Sequence, residues 1–196
     1  MPNLPPETIA NYLRVGPGPT SMGRAACQWR VLRAEIIDLE SRFNHMLLSL
    51  TAQWSGPIAT QVIEAAKALL RWLNDLSVKL FEIKEQIFRI ICAYLNAYHT
   101  VVPTARINAN RTRRAQLLVN DPLGQNAHEI AQLDEQYLRF WAHNGRVWER
   151  YRSELSDALS QITPFPLPPP IANNTGLVQP VRTDTSVFDS SASSSG

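Results

Sequence analysis

Residues 57–103 read PIATQVIEAAKALLRWLNDLSVKLFEIKEQIFRIICAYLNAYHTVVP. Within them Val62, Leu69, Leu76, Ile83 and Ile90 recur at heptad spacing, followed at plus four by Ala66, Leu73, Leu80, Ile87 and Tyr94. The preceding stretch keeps the same beat with Met22, Trp29, Ile36, Phe43 and Leu50, accompanied at plus three by Ala25, Leu32, Leu39 and Met46. A period of 3.5 keeps one apolar seam turned toward a partner helix along its whole length. Between the two stretches stands Trp54-Ser55-Gly56-Pro57, a tight turn by composition. The reading is an all-α fold built on a long antiparallel helical hairpin. Its first arm runs from a cap at Thr20 or Ser21 to about Gln53. The second runs from near Pro57 to Pro103, which pushes its preceding residues off helical geometry. At ~1.5 Å per residue the arms would be ~50 and ~70 Å long. A rod of this kind is expected to bind other proteins.

Outward from the hairpin, residues 1–5 are irregular and Pro6-Glu7 can open a short helix through about Val15. Gly16-Pro17-Gly18-Pro19 breaks it. Past Pro103 a shorter helix is expected from about Thr104 to Asn120, then a turn at Asn120-Asp121-Pro122-Leu123-Gly124. A last helix spans about Asn126 to Gln161, with Ile130, Leu133, Tyr137, Trp141, Val147, Trp148, Tyr151 and Leu155 on one stripe. Two further helices thus stand at the far end of the hairpin. From Thr163 the run Pro-Phe-Pro-Leu-Pro-Pro-Pro suits polyproline II and the Ser-rich remainder suits disorder. Residues 1–162 are therefore read as a helical domain and 163–196 as a Pro/Ser-rich disordered tail.

The chain has 196 residues, 44 % of them apolar, enough for one core, and 18 % charged, below the usual ~25 %. A net charge of +2 argues against nucleic acid, which calls for a concentrated basic face. The one basic cluster, Arg111 to Arg114, is short and reads as a solvated helix face. Met1 to Gly18 lacks the basic start, apolar run and cleavage site of a signal peptide, and charges interrupt every long apolar run. Folding the hairpin about residues 55 and 56 puts Cys27 opposite roughly residue 84. Cys92 is then ~12 Å further along, beyond disulfide reach. Two unpaired thiols, buried as small hydrophobes, are expected.

No catalytic, cofactor or metal site is expected, and no small-molecule ligand. His128-Glu129-Ile130-Ala131-Gln132 opens like a zinc protease signature but has Gln where the second His must stand. His45, His99 and His143 have no Cys or carboxylate at ligand spacing, and no phosphate loop or nucleophile elbow is present.

The second arm carries another apolar set, one residue past the first: Ile63, Leu70, Phe81, Phe88, Ile91, Leu95 and Tyr98, interrupted by Asn74, Ser77 and Lys84. The C-terminal helices begin at the far end and are expected to cover the part of the set that lies there. Near the turn, Ile63 and Leu70, with Leu47 and Leu48 of the first arm, have no obvious partner in the chain. Open apolar patches of this size mark interfaces. The competing reading is a closed core, with the last helix reaching the turn. Leu118, Val119 and Leu123 surround the other turn, either as a docking tip or as a staple closing the helix pair.

The ordered set of motifs resembles the mycobacterial PPE family, named for Pro-Pro-Glu. It comprises Leu4-Pro5-Pro6-Glu7, Gly16-Pro17-Gly18, Ala25-Ala26 with Trp29, Trp54-Ser55-Gly56-Pro57, Trp72-Leu73, Val102-Pro103, Asn110-Arg111, Leu123-Gly124-Gln125-Asn126, Tyr137 and Trp141. It covers about residues 1–162. The resemblance implies a heterodimer with a smaller PE (Pro-Glu) protein, whose two helices complete a four-helix bundle on the hairpin. It implies a role as substrate of a type VII (ESX) secretion machinery, cytoplasmic before export and then secreted, extracellular or at the cell surface, without a cleaved signal peptide. It places Trp54 and Gly56 beside the partner's secretion signal, and Trp54 as a cap on the hairpin core is the competing reading. It assigns the tip with Leu118, Val119, Leu123, Gly124, Gln125 and Asn126 to an EspG-type chaperone. The short Pro/Ser end, in place of a long glycine-rich region, is similar to the short PPE proteins released in soluble form. A role in host interaction or virulence follows by the same resemblance. The alternative function is a cytosolic coiled-coil adaptor or self-associating scaffold.

Overall fold

The computed structural model describes residues 4–120 and 123–170. Five helices follow in order: α1 Pro6–Val15, α2 Thr20–Gln53, α3 Pro57–Thr100, α4 Thr104–Val119 and α5 Ala127–Ser160. Each boundary is written in the local chemistry. Proline at the first helical position is preset for the helix and lacks only an N–H that has no partner there, as at Pro6 and Pro57. Pro103 stops α3 and serves as the cap of α4. The described residues form two compact units: 4–31 with 80–120 and 123–164, and 32–79 with 165–170. Most of the expected tail, from 171 on, lies outside the described residues, as do Asp121 and Pro122 of the far turn.

The first unit closes on Ile9, Ala10, Leu13, Ala97, Val101, Ile107 and Phe140, with Leu4, Tyr94, Tyr137, Trp148 and Tyr151 packed around them. One buried asparagine ties its elements together. Asn144 on α5 donates from Nδ2 to the carbonyls of Pro6 (2.9 Å) and Val102 (3.3 Å), while its Oδ1 accepts from the Val102 N–H (2.8 Å). Three backbone groups at the start of α1 and the α3–α4 corner are thereby satisfied by one side chain, as burial demands. The Tyr137 hydroxyl donates to the Glu7 carboxylate at 3.2–3.3 Å, and the Tyr94 hydroxyl to the Leu13 carbonyl at 2.8 Å. So Pro6 and Glu7 are gripped by α5 through two separate polar contacts.

In the second unit the arms of the hairpin run antiparallel about the Trp54–Gly56 turn. The Arg33 guanidinium Nε donates to the Ser77 carbonyl at 3.2 Å, a pairing centred on residue 55, as the fold-back predicts. On α3 the expected seam closes, with Ala66 and Leu73 buried and Val62, Leu69 and Leu76 half-buried. On α2 the plus-four positions Arg33, Glu40 and Leu47 turn inward instead of the plus-three ones. Leu32, Leu39 and Met46, expected in the seam, are exposed. Arg33 can occupy a seam position because its stem is apolar and its head finds a carbonyl.

Both cysteines are free, but exposed rather than buried. The reason is rotational: Cys92 lies two residues past the buried Ile90 and Cys27 two residues before the half-buried Trp29, each about 200° round the helix.

Candidate partner-binding surfaces

The turn of the hairpin is shaped by backbone conformation. Gly56 has φ 114°, a region essentially restricted to glycine, and its carbonyl accepts from the Thr60 N–H (3.0 Å) and the Thr60 hydroxyl (3.2 Å). The Trp54 N–H still bonds the Leu50 carbonyl at 3.0 Å, so the indole is projected from the last turn of α2. Trp54 is 39 % exposed and nearby Ile58 is more open still, whereas Ala59 is buried. The indole thus stands exposed at the turn.

Beside this turn the unit offers two apolar faces. On one, Leu32, Leu39, Met46 and Leu50 are exposed. A groove of about 440 Å³ lined by Phe43, Met46, Leu47, Leu50, Val62 and Ala66 separates α2 from α3 there. On the other, Leu48 is 58 % exposed, with Ile37 open and Ile63 and Leu70 half-buried. At about 100° per residue, Met46 and Leu48 fall on opposite sides of Leu47. Leu47 itself is only 6 % exposed. It stands four residues after Phe43 and three before Leu50, so it belongs to the seam, and Leu48 is the residue of that pair left exposed. The sequence pointed to the face with Leu48, Ile63 and Leu70. It missed the one with Leu39, whose heptad spacing was visible but assigned to the interior.

In the first unit, the C-terminal helices do not cover the apolar set of α3 as expected. Phe81, Phe88 (48 % exposed) and Leu95 remain open, because Ile83, Ile90, Ala93 and Ala97 are the positions of α3 that turn into the protein there. The Lys84 ammonium stands 4.6 Å from the Phe81 ring centroid and 5.7 Å from that of Phe88, and pairs with Glu85 at 2.7 Å. A cation over aromatic faces keeps part of its solvation while shielding them from water.

The tip between α4 and α5 also exposes apolar groups. Leu117 is buried, but Leu118 and Val119 are exposed and Leu123 is 81 % exposed. An exposed Leu123 is no staple. Gly124 takes φ 73°, and the Asn126 amide donates to the carbonyls of Leu117 (3.3 Å) and Asn120 (3.4 Å), fixing the end of α4. Gln125 is exposed beside it. Below the tip the basic cluster forms a largely exposed helix face, as expected, and is also paired: Arg114 Nε meets Asp134 at 2.5 Å and Arg113 meets Glu129 at 3.0 Å. Arg114 donating to it holds the Asp134 carboxyl below its ordinary range. The tip therefore stands on a braced helix pair, with the apolar residues left for something else.

Among the described residues no three His, Cys, Asp or Glu side chains could share a metal ion, and no helix is long and apolar enough to cross a membrane.

Comparison with known proteins bears on what covers these surfaces. The PPE family model matches residues 2–163. The chain is 47 % identical over 181 residues to PPE family protein PPE41 of Mycobacterium tuberculosis, covering 92 % of this chain and 93 % of that protein. It is 32 % identical over 171 residues to the uncharacterized PPE family protein PPE29 and 30 % over 174 residues to PPE33, both from the same species. Those alignments take in 87–88 % of this chain but only 37–40 % of those longer proteins.

Proposed function

The chain belongs to the PPE family, and from that premise we propose that it works as the larger half of a PE/PPE heterodimer. In this reading the two helices of a PE protein lie on α2 and α3 and complete a four-helix bundle. An EspG-type chaperone takes the pair at the α4–α5 tip in the cytoplasm. A type VII (ESX) machinery then exports it, without cleavage, to the cell surface or beyond. There it acts as a non-enzymatic protein in host interaction or virulence. Residues 1–162 are the functional domain and 163–196 an extension of it.

The observation that carries the reading is the open heptad edge of α2. Leu32, Leu39 and Met46 keep coiled-coil spacing on an exposed face, beside an apolar groove. Heptad spacing fits a helix and nothing else as neatly. Fully burying each such side chain contributes ~1.5–3 kcal/mol, so a few of them support tight pairing even after the loss of association entropy. The test is co-expression with PE proteins. Leu39→Asp should abolish co-purification, since the carboxylate would be buried without a partner at a cost of several kcal/mol. Retention of a wild-type dimer by that variant would remove the assignment of this edge. Loss on Leu48→Asp instead would give the partner the face with Ile63 and Leu70.

The tip and the turn have their own probes. Leu123→Asp should stop capture by an EspG-type chaperone while leaving the pair intact, and capture at wild-type strength would refute the tip. Trp54→Ala should leave the dimer and lower export. A dimer that falls apart would make Trp54 part of the core. A second reading, a self-associating scaffold, draws on the two opposite apolar faces of one unit. It predicts that the chain stays inside cells and forms dimers of itself without any PE protein.

A further inference from the structure

On α3, Ile63 and Leu70 fall about 60–80° to one side of Leu73, and Trp72 falls about 100° to the other. Ala65 and Ala68 lie on the Trp72 side and both are buried, Ala65 at the margin of the seam and Ala68 about 140° round from Leu73. Trp72 is half-buried, and its indole Nε1 donates to the Pro166 carbonyl at 2.9 Å, across 94 residues of sequence. The segment that supplies the carbonyl is Phe165-Pro166-Leu167-Pro168-Pro169-Pro170.

Its burial has a period of its own. Pro166 and Pro169 are partly covered, whereas Phe165, Leu167, Pro168 and Pro170 are exposed. Three residues per turn is the repeat of a polyproline II helix, so Pro166 and Pro169 share the edge laid against the protein. Proline-rich ligands are held in this way elsewhere: an aromatic-lined groove takes the stiff, preformed helix, and a donor takes a carbonyl that no N–H of the ligand can satisfy. Small residues beside the indole let an extended backbone come close.

We infer that the Ala65, Ala68 and Trp72 side of α3 is a polyproline-binding site. Its resident ligand is the chain's own segment 165–170, and a proline-rich peptide in trans can take that segment's place. The site fastens the C-terminal extension to the unit that carries the Trp54 turn. It does so through a contact that needs no PE partner and stands whether or not the PE/PPE reading holds.

The experiment labels the full chain with 5-fluorotryptophan, alone or with whatever partner keeps it in solution, and follows the five indole signals by fluorine NMR. Trp72→Phe identifies the relevant signal. In a second variant Pro166, Pro168, Pro169 and Pro170 become glycine, which removes the stiffness of the ligand and touches no helix. The Trp72 signal should shift toward that of a solvated indole in this variant, with the other four unmoved. Adding the synthetic peptide PFPLPPP to the glycine variant should return the signal to its wild-type position, while the same peptide with glycine for proline should not. A Trp72 signal unchanged by the glycine substitutions would overturn the proposal, as would failure of millimolar peptide to restore it. A wild-type signal that shifts on dilution would assign the ligand to a second copy and overturn docking within one chain.

Discussion

The two units solve the same problem, packing helices that carry little charge, in different ways. In the unit of α1, α4 and α5, buried polar side chains tie the elements together: Asn144 alone satisfies three backbone groups, and Tyr137 holds Glu7, although Asn110 Oδ1 is buried without a partner. In the unit around the hairpin turn, Leu32, Leu39, Met46 and Leu48 face water and an apolar groove lies open. The first unit is tied together by hydrogen bonds inside the chain, although Phe88 and the Leu123 tip stay open, whereas the second leaves an apolar edge and groove along the hairpin itself.

Substitutions should show that division sharply. Asn144→Leu preserves volume but leaves the Val102 N–H and the Pro6 carbonyl buried without partners, at a cost of about 3–5 kcal/mol. Urea denaturation should show that loss, and a change below 1 kcal/mol would mean that the asparagine is incidental. In the other unit Leu39→Asp should weaken pairing with a PE protein about a hundredfold, measured by titration calorimetry, as central interface residues do. Its effect on the stability of the unpaired chain should stay within ~0.5 kcal/mol, the range for surface sites. If it unfolds the chain instead, the contrast between the units is lost.

Gly56→Ala should cost about 1–3 kcal/mol through backbone strain alone, because an added Cβ meets no atom within 4 Å while φ stays at 114°. Circular dichroism melts would register it.

The smallest effect concerns pH. Burial first, and then the Glu7 carboxylate, push the Tyr137 phenol above its ordinary pKa of 10.0. The folded chain thus holds that proton more tightly than the unfolded one. Its contribution is complete below pH 10 and is lost as pH rises through the folded value. Tyr137→Phe should cost about 1 kcal/mol at neutral pH and flatten the decline above pH 10, followed by alkaline denaturation. An unchanged slope would detach Tyr137 from it.

Helix boundaries were legible because they are punctuated: Pro6, Gly56-Pro57 and Pro103 stop or start helices by covalent geometry, independent of tertiary context. The register about residue 55 followed from the turn. Which edge of α2 turns inward did not follow, because periodicity marks apolar residues and Arg33 enters the seam by its stem. Asn144 was hidden for the same reason: in a stripe of tyrosines and tryptophans an asparagine reads as a gap, although a lone amide there was the available signal. The tip was legible, since Val119 and Leu123 beside a glycine have no covering element in any arrangement of the helices they join. The Trp72–Pro166 contact spans 94 residues and leaves no local trace.

Asn144 is followed by Gly145, a pair with a chemical clock. In an unfolded chain the Gly145 nitrogen can attack the asparagine side-chain carbonyl, expel ammonia and leave an aspartate or its isomer after hydrolysis. Inside α5 the attacking nitrogen is held in helical geometry and the amide is pinned on Pro6 and Val102, so the ring cannot close. Once formed, an aspartate at 144 would have no N–H to offer those two carbonyls. Time spent unfolded is thus recorded as covalent damage at the side chain that ties Pro6 and Val102 to α5.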